Sequence, residues 1–273
     1  MYKLIALDID GTILNSQGEL TARVADSIAR ARDRGWLVCL LSGRRPRKMQ
    51  PLAQTLGITT PLVAFNGAII TDPVSLMPIK TRYLSRAISD PIVLAWEQAH
   101  IPFFSYRDTT TGPDVYYSLQ PVWPRAASYV KEEGNHMMRL DSVARQSWEP
   151  LRLMVMSDKK AALEAERLTA PYVRTGATRT YLSRHYDESW YFEVYPLTSK
   201  ADGIHFLCSH YGLQPQEVIA VGDNVNDVDM LQQAGLGVAM GNATKEVQTA
   251  ADVTIGDHDH DGLAHFLDHL MET

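Results

Sequence analysis

Five short apolar runs, four of them stopping abruptly at a polar cluster, constrain this chain more than any other feature. Leu4 to Leu7 meets Asp8-Ile9-Asp10-Gly11-Thr12, Leu37 to Leu41 meets Ser42-Gly43-Arg44, and Leu62 to Phe65 meets Asn66-Gly67. Far downstream, Val218 to Val221 meets Gly222-Asp223-Asn224-Val225-Asn226-Asp227, and Gly237 to Met240 is the fifth run. Apolar runs this short, with no polar alternation, read as strands buried on both faces, the habit of parallel sheets. Helical spacing fills the gaps. Thr21 can cap a helix with Val24, Ala25, Ile28 and Ala29 on one side, ended by Gly35, and a shorter helix over about 46–56 stops at Gly57. Further helices are expected over about 199–210, 226–234, 244–250 and 260–270. Strands alternating with helices predict a doubly wound, Rossmann-like parallel α/β sheet.

The pattern is interrupted in the middle. From about 80 to 190 the chain carries most of its aromatics, with helices expected over about 86–99, 122–133 and 158–169 and strands at Leu151 to Met156 and Tyr191 to Tyr195. This block reads as an inserted α+β cap. The expected division is 1–82 for the first part of the core, 83–192 for the cap and 193–273 for the second part. A length of 273 residues suits two domains. No apolar run reaches the roughly 18 residues a membrane span requires, and a net charge of −6 argues against nucleic acid as the main partner. Two cysteines, Cys39 and Cys208, are too few for a disulfide framework and read as small core residues. A cytoplasmic monomer or homodimer is expected.

Ligands of open parallel sheets bind beyond the carboxyl ends of the strands, where the polar clusters fall. Four acids gathered there, Asp8, Asp10, Asp223 and Asp227, would repel one another if left bare. A hard divalent cation relieves that repulsion, and Mg²⁺ suits a site of few carboxylates plus a phosphate. Asp8 and Asp10, two residues apart in an extended stretch, point the same way. One could attack phosphorus while the other handles the leaving-group proton, giving an acyl phosphate on Asp8 that an Asp10-activated water hydrolyses. Gly11 lets the backbone turn beneath the site, and Thr12 is expected to brace that turn.

Asp8-x-Asp10-Gly11-Thr12, Ser42-Gly43-Arg44, Lys200 and Gly222-Asp223-x-x-Asn226-Asp227 resemble, in order and spacing, the four motifs of haloacid dehalogenase-like phosphatases. Asn66-Gly67-Ala68, Met240-Gly241-Asn242-Ala243 and Asp261-Gly262-Leu263-Ala264 are similar to further signatures of the Cof-type subfamily with a C2B cap. The resemblance implies a Mg²⁺-dependent phosphatase of a small phosphorylated metabolite, such as a sugar phosphate, working through an aspartyl phosphate. It implies Asp8 as nucleophile and metal ligand, and Asp10 as general acid and base, binding metal through its carbonyl. Asp223 becomes a metal ligand, with Asp227 supporting the metal site. Ser42, the Gly43 and Ile9 amides and the Asn226 side chain would hold phosphate oxygens, while Lys200 neutralises charge shared by Asp8 and the phosphoryl group. One departure stands out: the family usually has glycine directly after the lysine, and here Ala201 follows, with Gly203 beyond it.

Other features read more modestly. His258, His260, His265 and His269 crowd the end of the chain, and a solvated helix face accounts for them better than a metal site. Arg44, Arg45, Arg47 and Lys48 form a basic cluster beside Ser42; Arg44 is the substrate-binding candidate nearest the site. In the cap, Arg179, Arg184 and His185 are candidates for reading the substrate beyond its phosphate. Tyr116, Tyr117 and Trp123 fit an aromatic cap core better than a nucleobase platform. The rival functions are a phosphomutase or phosphotransferase using the same aspartyl phosphate, a phospho-acceptor signalling domain, and a non-catalytic metabolite-binding module.

Overall fold

The structure, a computed structural model, describes residues 2–173, 178–184 and 188–272. It opens with β1 (Leu4–Leu7), buried along its whole length. Next comes α1 (Ala22–Asp33), where the Thr21 hydroxyl accepts from the Val24 N–H, the cap its sequence suggested. β2 (Leu37–Leu40), α2 (Pro46–Thr55), β3 (Leu62–Ala64), β4 (Ile69–Thr71) and β5 (Pro78–Thr81) follow. The middle of the chain makes α3 (Arg86–Gln98), β6 (Phe104–Tyr106), β7 (Val115–Tyr117), α4 (Pro124–Glu133) and β8 (Met137–Arg139). It continues with β9 (Arg152–Ser157), α5 (Lys159–Thr169), β10 (Thr178–Arg184) and β11 (Trp190–Pro196). The return comprises α6 (Lys200–Tyr211), β12 (Val218–Gly222), α7 (Val228–Gln233), β13 (Leu236–Ala239), α8 (Lys245–Ala250), β14 (Val253–Thr254) and α9 (Gly262–Glu272).

Two compact units result: Met1–Lys80 with Ser199–Thr273, and Thr81–Thr198. In the first, a five-stranded parallel sheet runs β14-β13-β12-β1-β2. From β1 the chain winds outward through β2 on one side, and from β12 through β13 and β14 on the other. The order therefore reverses between β1 and β12, which places a ligand crevice at their carboxyl ends. Register aligns Leu7 with Val221, so Asp8 emerges opposite Gly222, one residue before Asp223. Leu4, Ala6, Val218, Ala220, Ile204 and Leu207 belong to the fully buried cluster behind the sheet. Cys39 and Cys208 join it as free, buried thiols.

The run from Leu62 behaves differently from the sequence expectation of another parallel core strand. β3 touches the end of β2 through one parallel bridge, Leu41 to Val63, and otherwise pairs antiparallel with β4 in a small β3-β4-β5 sheet. The cause lies just after it: Phe65, Asn66 and Gly67 all adopt positive φ (48°, 52° and 91°) and turn the chain back.

The second unit is a six-stranded sheet in the order β10-β11-β9-β6-β7-β8. Trp96 of α3 meets Phe103 and Phe192 edge-on in a cluster with Leu153, Val155, Val194 and Ala165 of α5. Tyr116 belongs to that cluster, Tyr117 is also buried, and the Trp123 indole donates to Ser189 Oγ. These aromatics are structural, as expected. The stretch around Arg179, which shows no alternation in sequence, forms β10 and pairs along its length with β11. Among the described residues no helix is long and apolar enough to cross a membrane.

Candidate active site

Asp8 leaves β1 with its N–H donating to Val221 O, which continues the parallel ladder one residue beyond the strand. Its carboxylate is almost fully buried. Lys200 is the first residue of α6, a helix fixed at its start by a capping box in which the Ser199 N–H donates to Asp202 Oδ2. That start aims the Lys200 ammonium, wholly buried, between two carboxylates. Nζ donates to Asp8 Oδ1 and, at 2.5 Å, to Asp227 Oδ1. Asp227 Oδ2 accepts from the Asp223 and Asn224 N–H groups, both at 3.0 Å, so the turn after β12 is built around this side chain. The Ala201 departure is accommodated: Ala201 is buried in the helix, and the close approach falls at Gly203, where a Cβ would meet Val63 Cγ1 at 2.5 Å.

One oxygen from each of Asp8, Asp223 and Asp227 lies within 4.8 Å of the others. Burial pushes the Asp8 carboxyl well above its ordinary range; Lys200 opposes this, while Asp227 and Asp223 add to it. Asp223 is pushed up to about 7, first by burial and then by Asp227. Burial works against the Lys200 charge, yet Asp227 and Asp8 outweigh it and hold the ammonium above its usual range. Three carboxylates thus face one ammonium, and Asp223 Oδ1 is buried with no hydrogen-bond partner among the described residues. An orphaned carboxylate oxygen among converging acids is the donor set a hard divalent cation takes. The residues fit a divalent metal.

Gly11 sits at φ +79°, and a Cβ there would lie 2.3 Å from Asp223 Oδ2. Only glycine allows both the left-handed turn and that approach. The expected bracing by the Thr12 hydroxyl is not found: Oγ1 is buried with no hydrogen-bond partner among the described residues, and the turn is held by main-chain bonds into Ile9 O. Asp10 points outward, its side chain 60% exposed, and Arg44 clamps it through Nε at 2.8 Å and Nη2 at 2.5 Å. The Arg44 guanidinium is therefore committed to Asp10. Ser42 is buried, its Oγ accepting from the Arg44 N–H, and Gly43 follows it. Asn226 Nδ2 donates to Asn66 Oδ1 at 2.9 Å.

In the other unit, Arg179 Nη1 donates to Tyr181 Oη. Arg184 closes β10, its side chain outside the described residues, as is His185 altogether. Two residues given no individual role from sequence enter the site: Asn66, and Asn242, whose Nδ2 donates to Gly11 O at 2.9 Å. Each lies at a strand end in a motif the sequence already marks, Asn66-Gly67-Ala68 and Met240-Gly241-Asn242-Ala243, and those motifs are the signal for both.

The haloacid dehalogenase-like hydrolase family model matches residues 5–267. The chain belongs to this family. A Haemophilus influenzae protein provisionally named as a phosphatase is 30% identical to this hydrolase over 270 residues, spanning 98% of each chain. The pyridoxal phosphate phosphatase of Escherichia coli is 26% identical over 279 residues, covering 98% of this chain and 99% of its own. Among solved structures, a haloacid dehalogenase-like hydrolase from Bacteroides thetaiotaomicron superposes with a TM-score of 0.83 at 24% identity, covering 99% of this chain and all of the other. Hydrolysis of a phosphoric monoester is the activity of this hydrolase.

Proposed function

We propose that the chain is a Mg²⁺-dependent phosphatase that hydrolyses a small phosphorylated metabolite through an aspartyl phosphate on Asp8. The observation carrying this reading is the group of buried Asp8 and Asp227, both paired with Lys200, and half-buried Asp223 at the sheet's switch point. Relatives spanning nearly the whole chain are named for a phosphorylated cofactor, pyridoxal phosphate, and for 5-amino-6-(5-phospho-D-ribitylamino)uracil. Both names support a small phosphorylated substrate.

In this mechanism the Asp8 carboxylate attacks phosphorus, an acyl–phosphate bond forms, and the ester P–O bond breaks. Asp10 gives its proton to the departing oxygen. Asp10 then takes a proton from water, which attacks the acyl phosphate, releases inorganic phosphate and regenerates the Asp8 carboxylate. Lys200 balances the charge that Asp8 shares with the phosphoryl group, while Ser42, Asn226 and the Ile9 and Gly43 amides hold its oxygens. Arg44 must yield part of its hold on Asp10 for that carboxyl to reach the leaving group. Asp8, Asp223 and the Asp10 carbonyl would hold Mg²⁺, supported by Asp227, and the ion supplies positive charge to offset the phosphate's. The free, buried thiols of Cys39 and Cys208 suit a reducing compartment and support a cytoplasmic location.

The test is turnover of an aryl phosphate ester by wild type and Asp8→Asn, with and without Mg²⁺. Activity should vanish in the variant and depend on the ion in wild type. An Asp8→Asn protein keeping a tenth of the wild-type rate would refute the mechanism.

A further inference from the structure

Asn66 occupies a costly conformation at the meeting point of three loops. It is buried and left-handed (φ 52°, ψ 38°), and it follows Phe65, a bulky residue also held at positive φ. Consecutive left-handed residues persist only where their surroundings over-determine them, and such strain tends to collect at functional sites. The surroundings here are the loops that carry the phosphate-binding candidates. The Asn66 N–H donates to Ser42 O, the Phe65 N–H to Arg44 O and the Ser42 N–H to Val63 O, at 3.0, 3.0 and 2.9 Å. These bonds tie the Ser42-Gly43 loop to the end of β3. Gly67 presses on the start of α6, where a Cβ would meet Ser199 O at 2.3 Å, one residue before Lys200.

The Asn66 side chain completes the junction. Its Oδ1 accepts from Asn226 Nδ2 at 2.9 Å. A carbonyl oxygen can only accept, so this contact decides which end of the Asn226 amide faces Asn66. One Nδ2 hydrogen is used there and the second remains to donate to an anion. With the amide flipped, Asn66 would face an oxygen, and Asn226 would turn its own carbonyl toward the phosphate. The geometry points to Asn66 as the positioning residue that orients the Asn226 amide for phosphate binding and sets the Ser42-Gly43 loop beside it. This rests on the reading of Asn226 as a phosphate ligand.

Inorganic phosphate is the probe, its dissociation constant measured by calorimetry and its inhibition constant against an aryl phosphate ester. Asn66→Gly removes the acceptor yet keeps the left-handed backbone without strain. Phosphate affinity should fall about tenfold, equivalent to roughly 1.4 kcal/mol, with KM for the ester rising in parallel and kcat changing less. Asn226→Ala should weaken phosphate to a similar degree, and the double variant no further, because one residue acts through the other. Asn66→Ala removes the same acceptor and should show the same loss should the glycine variant fail to fold. Phosphate affinity within twofold of wild type in Asn66→Gly, or losses that multiply in the double variant, would overturn the assignment while leaving the phosphatase reading intact. A wild-type protein that neither hydrolyses the ester nor binds phosphate would sink both.

Discussion

Replacing Lys200 with methionine removes the ammonium that sits among three clustered carboxylates, and the cost follows from the hydrogen bonds that disappear with it. Asp227 is wholly buried. Its Oδ2 keeps two backbone donors at 3.0 Å, but Oδ1 loses the ammonium at 2.5 Å. Asp8 loses the same partner, yet its carboxyl is already pushed upward by burial, so it can take a proton and shed its charge. The penalty therefore falls mainly on Asp227. Breaking a buried ion pair by deleting one member costs about 3–5 kcal/mol, more than methionine's apolar stem recovers. At about 2–4 °C per kcal/mol for a domain of this size, the melting temperature should drop by about 6–20 °C. The measurement is calorimetric melting at pH 7.5 with chelator, so that no cation substitutes for the ammonium. Adding Asp227→Asn to the variant should recover part of the loss, since asparagine keeps an acceptor for the Asp223 and Asn224 N–H groups and carries no charge. A Lys200→Met protein melting within 2 °C of wild type would refute the reasoning, as would a double variant less stable than the single one.

The same geometry makes three shorter predictions. In cation-free protein Asp223 titrates at about 7, against 3.8 for an ordinary aspartate, so the folded state holds a proton that the unfolded chain has released in between. Unfolding then releases protons, and stability should fall as pH rises through that window; melting with chelator from pH 4 to 8 should show the decline, and Asp223→Asn should make it shallower, leaving the share that the raised Asp8 carboxyl contributes. Gly11→Ala should cost about 1–2 kcal/mol of stability for the left-handed backbone. Its Cβ, 2.3 Å from Asp223 Oδ2, should also displace that carboxylate and lower kcat/KM by about a hundredfold, readable in an ester assay. Arg44→Gln should lower the melting temperature by no more than about 4 °C, because the Asp10 partner is 60% exposed and surface pairs contribute about 0–1 kcal/mol; a larger drop in a thermal melt would show that the clamp supports the fold.

The parallel core was legible because its signal is local. Four or five apolar residues stopping at a polar cluster mark both a buried strand and the end where ligands bind, and β1, β2, β12 and β13 appear where those runs lie. Helix starts were readable where capping chemistry is explicit, as at Thr21. The sequence marks β3 as a strand but not its antiparallel role, since pairing direction is set by the turn at Phe65 to Gly67, and nothing in the residue type of Phe65 announces a positive φ. β10 leaves no mark in the sequence because Thr178 to Arg184 shows no apolar alternation; its partner β11 supplies that order through pairing. Within the site, the residue types and their order were readable, but their partners were not. That Arg44 grips Asp10, that Lys200 divides itself between Asp8 and Asp227, and that Asn66 meets Asn226 are facts of three-dimensional placement, with partners up to 192 positions apart in the chain.

Those placements also explain how a chain of net charge −6 can offer a site to a phosphate ester. Global charge acts through solvent and is screened within about 10 Å at ordinary ionic strength. Lys200 is wholly buried, so its field reaches Asp8 with little screening, and the surface acids contribute far less there. The local balance is still negative, three carboxylates to one ammonium, and the folded chain responds by pushing the Asp8 and Asp223 carboxyls upward. A cation at the orphaned Asp223 oxygen would return both to their charged forms. Binding a cation and ionising Asp8 are then one electrostatic event: whatever neutralises Asp223 also lets Asp8 lose its proton. The acids that made the sequence look hostile to an anion are, in this geometry, the condition for receiving one.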